Sequence, residues 1–210
     1  RKDFLLTEED IDVSYRAGAD AVLLIAAVLE PASFARLYRR AAGLGMSVLA
    51  EAHTPEDIGM LRSVRPAFTG INARSLETFA TDLLHPAAVR SLLDWDTRTV
   101  FESGIRGEAD ARLAGSLGFD GILVGETAVR DPAAVPLLVR GLESGRKAPS
   151  RFWSEIARRR TSRRLTSRRP LVKICGLTKR EDVLAADESG ADLLGFVLAD
   201  SRSEEHTSEL

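Results

Sequence analysis

The chain repeats one pattern, a short run of apolar residues followed by a stretch in which apolar positions recur at helical spacing. Predicted strands cover residues 21–28 (with the turn that follows), 47–52, 67–72, 98–103 and 120–125. The strand-to-strand spacing of about 21–30 residues is that of a β/α unit. Since no hairpin signal separates the runs, the pattern predicts a parallel α/β fold. Spacing alone does not distinguish a closed barrel from an open doubly wound sheet.

Both ends of this array depart from the pattern. Residues 2–6 are predicted to be the end of a strand, after which Thr7 and Asp10 predict a capping box. Residues 145–170 lose the periodicity and are rich in Ser, Thr, Arg and Pro, which predicts a linker. A new strand is predicted from residue 171, and a second apolar run covers residues 193–198. We therefore expect four parts: residues 1–144, 145–170, 171–200 and 201–210.

Charge is unevenly distributed along the chain. The net charge is −2, yet residues 146–169 hold ten Lys and Arg against one acid, so the remainder is acidic. The basic segment, next to Phe152 and Trp153, could bind nucleic acid through the phosphate backbone. Because no recognisable nucleic-acid-binding motif accompanies it, we do not expect a nucleic-acid partner.

Composition favours a cytoplasmic protein. The content of 44% hydrophobic and 29% charged residues is typical of soluble globular proteins. No apolar run approaches the roughly 20 residues of a membrane span, and no charged-then-apolar leader opens the chain. The single cysteine, Cys175, excludes an internal disulfide and fits a reducing compartment.

Polar residues follow the predicted strands, at the point where each strand ends. In a parallel β/α array these ends converge on one rim, where such folds do their chemistry. The residues concerned include a lysine, carboxylates, an amide, an arginine and glycines: Lys2, Glu51, Asn72, Arg74, Glu102, Ser103, Gly104, Gly125 and Glu126. This set predicts an enzyme that acts on a small phosphorylated substrate.

The two carboxylates would be half-buried, where burial raises a carboxyl pKa and a nearby lysine lowers it. Such residues suit general acid–base work, but a structural ion pair is an equally open interpretation of Glu51 and Glu102. Of Asn72 and Arg74, one can reach the pocket while the other braces a loop, and a plain turn role for Asn72 stays open.

Two successive strand ends carry glycines, at Ser103-Gly104 and at Gly125, as in barrels that bind phosphate through backbone N–H groups. The three histidines lack the spacing of metal ligands, and His53 and His85 are predicted to be loop residues. Neither a Ser-His-Asp set nor a P-loop is present in the sequence, and we expect no metal and no cofactor.

Five short motifs resemble those of indole-3-glycerol phosphate synthase, in the order and at the spacing of that family. They are Lys-Asp-Phe (2–4), Leu-Ala-Glu (49–51), Gly-Ile-Asn-x-Arg-x-Leu (70–76), Glu-Ser-Gly-Ile (102–105) and Leu-Val-Gly-Glu (123–126). That family is a (β/α)₈ TIM barrel of tryptophan biosynthesis, and the likeness covers residues 1 to about 143. Residues 172–178 and 190–197 resemble the opening of phosphoribosylanthranilate isomerase. The two likenesses together imply a bifunctional synthase–isomerase.

The resemblance implies roles in closing the ring of carboxyphenylamino-deoxyribulose phosphate, with loss of carbon dioxide and water. It implies that Lys2 is the general acid, that Glu51 is the base for dehydration and that Asn72 orients the reacting groups. It implies that Glu102 and Arg74 bind the substrate and that Phe4 and Leu23 form the wall of the anthranilate pocket. The phosphate site would consist of Ser103, Gly104, Gly125 and the backbone of Glu126. Cys175 would be the general base of the isomerase, or else an ordinary buried strand cysteine.

Departures from the family pattern give further expectations. If Lys2 closes the third strand, the chain holds about strands 3–8 of the barrel, then a linker and the first β/α unit of a second TIM barrel. A missing N-terminal barrel segment would then leave the chain inactive and poorly folded alone. Glu126 stands where many relatives carry serine, and residues 201–210 are expected to be non-native. Another phosphate-binding TIM-barrel lyase or isomerase is the alternative.

Overall fold

The computed structural model describes residues 1–166 and 172–196 of the chain. They form two compact units, residues 1–162 and the part that begins at Arg163. The helices and strands of the first unit are α1 (Glu8–Arg16), β1 (Ala21–Ile25), α2 (Pro31–Gly43), β2 (Ser47–Ala52), α3 (Pro55–Leu61), β3 (Phe68–Asn72), α4 (His85–Arg90), β4 (Arg98–Glu102), α5 (Glu108–Ser116), β5 (Gly121–Leu123), α6 (Glu126–Arg130), α7 (Val135–Lys147) and α8 (Arg151–Thr166), which runs on past residue 162. Short 3-10 helices cover Ala26–Val28 and Pro132–Ala134.

The five strands of the first unit form one parallel sheet in the sequential order β1-β2-β3-β4-β5. A doubly wound sheet reverses its strand order at a switch point, and no reversal occurs among these five strands. The order therefore matches the single winding of a barrel, which the strand spacing in the sequence could not distinguish. The parallel α/β prediction is confirmed.

Burial explains why the strand runs are apolar. Leu24, Ala50 and Ile71 are fully buried in neighbouring strands, as expected for a sheet that is covered on both faces. Phe101 of β4 packs edge-on against Phe119, with ring centroids 5.1 Å apart. This core holds the strand ends in register, with Glu51 opposite Gly70 and Asn72 opposite Glu102.

The predicted start of α1 is confirmed in atomic detail, since Thr7 and Asp10 form a reciprocal capping box. Thr54 and Asp57 form a second capping box at α3, where Pro55 occupies the first turn. Each box satisfies backbone N–H groups that the helix start would otherwise leave unpaired.

Several predicted boundaries differ from the structure. Residues 2–6 are not a strand, although the Leu23 N–H donates to the Arg1 carbonyl at 3.0 Å. The sequence pattern missed α6, and within the predicted linker of residues 145–170 the structure has the end of α7 and the helix α8. In α8, Ile156 and Ala157 are buried. Residues 167–171 and 197–210, with the predicted non-native tail, lie outside the described residues.

The described part of the second unit contains β6 (Lys173–Leu177), α9 (Arg180–Glu188) and β7 (Leu193–Phe196). The two strands pair in parallel, with Lys173 opposite Leu193. The sequence prediction of a strand, a helix and a second parallel strand is confirmed to that extent. No helix among the described residues of either unit is long and apolar enough to cross a membrane.

The contact between α5 and α7 depends on glycine. A Cβ atom added to Gly115 would overlap the Leu142 carbonyl, and one added to Gly145 would overlap the Arg112 carbonyl. These obstacles are backbone atoms, which cannot rotate away. The two helices therefore approach more closely than residues with a side chain at these positions allow.

We predict that Gly145→Ala lowers the free energy of unfolding by about 1–3 kcal/mol, because the new methyl group forces α5 and α7 apart. Urea unfolding followed by circular dichroism measures this change. Gly43→Ala, in the last turn of α2 with no atom within 4 Å of the added Cβ, is the matched control and should not destabilise. Equal stability of the two variants would contradict the packing argument.

Candidate active site

A pocket of about 790 Å³ lies beside the carboxyl ends of β4 and β5. Seven of the predicted site residues line it: Lys2, Arg74, Glu102, Ser103, Gly104, Gly125 and Glu126. They come from four places along the first 126 residues, which the fold brings together on one pocket wall. Thr81, Arg106, Thr127 and Arg130 also line the pocket and were not singled out from the sequence.

The loop after β3 brings Arg74 to the pocket. The Arg74 N–H donates to Asn72 Oδ1 at 3.0 Å, and Arg74 pairs with Thr81 in a short antiparallel bridge. The Asp82 N–H then donates to the Ala73 carbonyl, which closes the loop on itself. A small hairpin therefore holds Arg74 and Thr81 together on the pocket wall.

The backbone after β4 is strained. Ser103 and Gly104 both adopt left-handed conformations, with φ of 66° and 78°. That conformation is uncommon for serine, and such strain concentrates at functional sites. A Cβ atom on Gly104 would also meet Thr81 and Leu83, so this position requires glycine. The Thr127 hydroxyl donates to the Ile105 carbonyl at 2.8 Å and ties α6 to this loop.

Two carboxyl groups are buried at this end of the sheet, and one of them, Glu102, also lines the pocket. Glu51 on β2 and Glu102 on β4 are each only 1% exposed. The Asn72 amide, on the strand between them, donates to Glu51 Oε1 at 2.9 Å. Glu51 Oε2 and both Glu102 oxygens have no hydrogen-bond partner among the described residues. Buried acceptors without a donor are costly, so this arrangement favours chemistry over a structural ion pair.

The space for the Glu102 carboxyl exists because residue 70 is glycine. A Cβ atom added to Gly70 would overlap Glu102 Oε1. Gly70 lies opposite Glu51 in the sheet, so its missing side chain opens the gap in which the two carboxyl groups approach each other.

Burial, with a smaller contribution from the neighbouring Glu51 carboxyl, raises the pKa of Glu102 to about 9, and the charge of Lys2 acts in the opposite direction. At neutral pH Glu102 therefore holds a proton and can donate a hydrogen bond. The lysine that was expected to lower such a pKa is present, but burial outweighs it.

Four predicted residues of the first unit do not line the pocket. Glu51 and Asn72 are buried on the strands beside Glu102. Phe4 is 60% exposed and Leu23 is buried in β1, so the structure does not bring these two to the pocket. In the second unit Cys175 is exposed on β6, which contradicts its interpretation as a buried strand cysteine.

Sequence reasoning missed His53. It was assigned to a loop, yet its ring is 8% exposed and its Nε2 lies 3.3 Å from Glu51 Oε1. The available signal was the capping box: Asp57 accepts from the His53 N–H at 2.7 Å, which holds this residue against the end of β2. No group of three or more metal-ligating side chains occurs within residues 1–166 and 172–196.

We predict that stability falls as pH rises, through Glu102. Its folded-state pKa of about 9 exceeds the unfolded value of about 4.5, so the folded chain binds more protons between these two pH values. The free energy of unfolding of Glu102→Gln, relative to that of the unsubstituted chain, should therefore increase by a few kcal/mol as pH rises from 5 to 8. Urea unfolding at both pH values tests this, with the exposed Glu56→Gln as control. A difference independent of pH would contradict the assignment.

Gly70→Ala should lower the free energy of unfolding by about 1–3 kcal/mol, because the methyl group displaces the Glu102 carboxyl from its gap. Thermal and urea unfolding measure the loss. Gly59→Ala, in α3 with open space around the added Cβ, is the matched control and should be neutral or gain up to about 1 kcal/mol. If Gly70→Ala behaves like Gly59→Ala, Gly70 does not hold the gap open.

Comparison with known proteins bears on this site. A family model described as indole-3-glycerol phosphate synthase matches residues 1–136. The indole-3-glycerol phosphate synthases of Rhodopirellula baltica and Micrococcus luteus are 39% identical over 132 residues and 41% identical over 133 residues. Each alignment covers 63% of this chain, and 51% and 50% of the relatives. The chain thus spans about half the length of the curated relatives it matches.

Among solved structures, 3-hexulose-6-phosphate synthase from Salmonella typhimurium is similar with a TM-score of 0.51 and 16% identity, over 66% of this chain and 68% of that one. At this identity the likeness shows the fold alone, a TIM-barrel-like arrangement of β/α units. The family model covers more than half of the sequence, including every pocket residue. This chain belongs to the indole-3-glycerol phosphate synthase family.

Proposed function

We propose that the first unit supplies part of the active site of an indole-3-glycerol phosphate synthase. In that reaction carboxyphenylamino-deoxyribulose phosphate closes its ring and loses carbon dioxide and water. The observation that carries the proposal is the convergence of Lys2, Arg74 and Glu102 on one pocket that also contains the strained Ser103-Gly104 turn. The family membership of residues 1–136 gives that convergence its chemistry.

The acid–base groups divide into a donor side and an acceptor side. Lys2 lines the pocket and is the general acid for the substrate carbonyl and hydroxyl. Glu51 is the base for dehydration, since one of its oxygens has no donor among the described residues. Asn72 orients Glu51, to which it donates a hydrogen bond. Protonated Glu102 donates to the substrate at the centre of the reaction.

The phosphate site is the part of the pocket near α6. Backbone groups of Ser103, Gly104 and Gly125 bind the phosphate, and the Glu126 backbone completes the site. The Glu126 carboxylate would repel a phosphate, but it pairs with Arg130 at 2.9 Å, which offsets its charge. Arg74 is a further cation on the same wall. Phe4 and Leu23 would form the anthranilate side once the pocket is complete.

The first unit accounts for part of a barrel. Among the described strands, β1 and β5 each have one neighbour in the sheet, and a closed barrel would join them through further strands. We propose that the five strands and Lys2 correspond to about strands 3–8 of a (β/α)₈ barrel, and that an N-terminal segment completes it. The chain alone is then inactive.

The second unit is the start of another barrel under this proposal. Its β6, α9 and β7 form one parallel β/α unit, as the opening of a phosphoribosylanthranilate isomerase would. Cys175 on the exposed part of β6 is the general base of that isomerase. Residues 145–170 connect the two activities of a bifunctional enzyme.

The test mixes this chain with the N-terminal half of the Micrococcus luteus relative and follows indole formation by fluorescence. We expect no turnover by the chain alone and measurable turnover by the mixture. Lys2→Gln should reduce kcat of the mixture by about 10²–10⁴-fold, the usual range for a lost general acid. Lys147→Gln, exposed at the end of α7 and outside the pocket wall, is the matched control.

The outcomes separate the parts of the proposal. Turnover by the chain alone contradicts the incomplete barrel and leaves the synthase activity in place. A mixture that assembles but shows no turnover contradicts the synthase activity. Equal loss in the Lys2 and Lys147 variants contradicts the role of Lys2.

A further inference from the structure

The backbone of His53 is held at two points. Its N–H donates to Asp57 Oδ2 at 2.7 Å, within the capping box of α3. Its carbonyl accepts a hydrogen bond from Nε2 of His85, the first residue of α4, at 2.6 Å. Since two helix starts fix the main chain, the position of the His53 ring beside the end of β2 is a built feature of the fold.

The ring is directed at the Glu51 carboxylate. His53 Nε2 lies 3.3 Å from Glu51 Oε1, the same oxygen that accepts from the Asn72 amide at 2.9 Å. The contact is close but not aligned as a hydrogen bond, and both ring nitrogens lack a hydrogen-bond partner in the part of the chain that the structure describes. A modest rotation of the ring converts this approach into an N–H···O bond.

Buried polar atoms without a hydrogen-bond partner lower the stability of the folded state. An unpaired buried donor or acceptor costs about 1–3 kcal/mol, and an apolar side chain of similar shape would avoid that cost. His53 and Glu51 concentrate several such atoms at one point of the site. The arrangement therefore fits a role in the chemistry of Glu51 better than a role in packing.

The surroundings decide the charge of the ring. Burial lowers the pKa of His53, and the charges of Glu51 and Asp57 oppose this while His85 and Lys2 add to it. The lowering prevails, so the ring is neutral near pH 7 and carries one N–H. A proton on Nε2 places a donor against the carboxylate, whereas a proton on Nδ1 would place a lone pair there.

We propose that His53 is a positioning residue for Glu51, donating Nε2–H to Oε1 so that His53 and Asn72 together hold that oxygen and leave Oε2 as the proton acceptor. The two oxygens of Glu51 are then unequal: Oε1 has two donors, and Oε2 has none among the described residues. This deepens the proposed function and rests on it, since Glu51 acts there as the base.

The first test observes the ring directly and needs no turnover. The full chain contains three histidines, so selective ¹⁵N labelling gives at most three sets of imidazole signals, and His53→Gln identifies the set that belongs to His53. We expect the Nε2–H tautomer for His53 at pH 7. Glu51→Gln should lower its titration midpoint by about 0.5 pH unit or more, because the carboxylate that favours the charged ring is gone.

Glu102→Gln is the matched control for this measurement. Glu102 holds its proton at pH 7, so the neutral amide replaces a neutral carboxyl of the same size and should leave the His53 midpoint unchanged. An Nδ1–H tautomer, or a midpoint that Glu51→Gln does not move, would overturn the inference.

The second test uses the assembled mixture described above. His53→Gln offers an amide N–H in place of Nε2–H and should retain kcat within about threefold, whereas His53→Leu should lose about tenfold or more in kcat with KM unchanged. Equal kcat for the Gln and Leu variants would overturn the inference. If the unsubstituted mixture shows no turnover, the proposed function fails, and the ¹⁵N measurement alone decides the inference about His53.

Discussion

The gap over Gly70 is the constraint on which the candidate site depends. Three adjacent strands, β2, β3 and β4, end at the same level, and the two outer strands each contribute a glutamate. The Glu102 carboxyl occupies the position where any other residue at 70 would place its Cβ atom. A parallel sheet spaces neighbouring strands by about 4.8 Å, so side chains two strands apart meet only if the middle strand leaves room. Glycine leaves that room.

The two neighbouring carboxyl groups differ in protonation and in their hydrogen-bond donors. Glu102 holds its proton to about pH 9 because it is buried beside Glu51. Glu51 is differently placed, since Asn72 and the His53 ring both approach one of its oxygens. Two residues of one type thereby present a donor and an acceptor to the same region, which is how environment sets acid and base roles in enzymes. The orphaned oxygens lower stability, and the apolar core of the sheet offsets that cost.

The sequence predicted the position of these glutamates more reliably than their surroundings. Strand ends were readable because buried parallel strands are continuous apolar runs, and a polar residue that interrupts such a run marks the rim. His53 was unreadable by that rule because it follows the strand, and its burial comes from contacts with Asp57 and His85. Hydrophobic periodicity along the sequence does not reveal the hydrogen bonds of the capping residue Asp57 and of the distant His85 with the His53 backbone.

The helices α6 and α8 were also not recognised from hydrophobic periodicity. In α8 the buried positions include Ile156 and Ala157, while arginine, a good helix former, dominates the rest. Apolar periodicity is weak in such a helix, so a helical segment was predicted as a linker. The five-residue α6 is too short to show a period at all, yet it supplies Glu126 and Arg130 to the pocket. Its place is set by the Thr127 hydroxyl on the Ile105 carbonyl, a contact across 22 residues that local pattern does not contain.

The sequential strand order explains why a chain of this length gathers so complete a set of polar groups. In a singly wound sheet every added β/α unit places one more strand end on the same rim, next to the previous one. Three consecutive strands, β2, β3 and β4, therefore bring Glu51, Asn72 and Glu102 into one neighbourhood without contributions from distant strands. A residue on the opposite side of a barrel is not brought near these three by neighbouring strands. It faces them only when the barrel closes. Under the proposed function, Leu23 on the edge strand β1 and Phe4, which precedes α1, are in that situation, and neither lines the pocket.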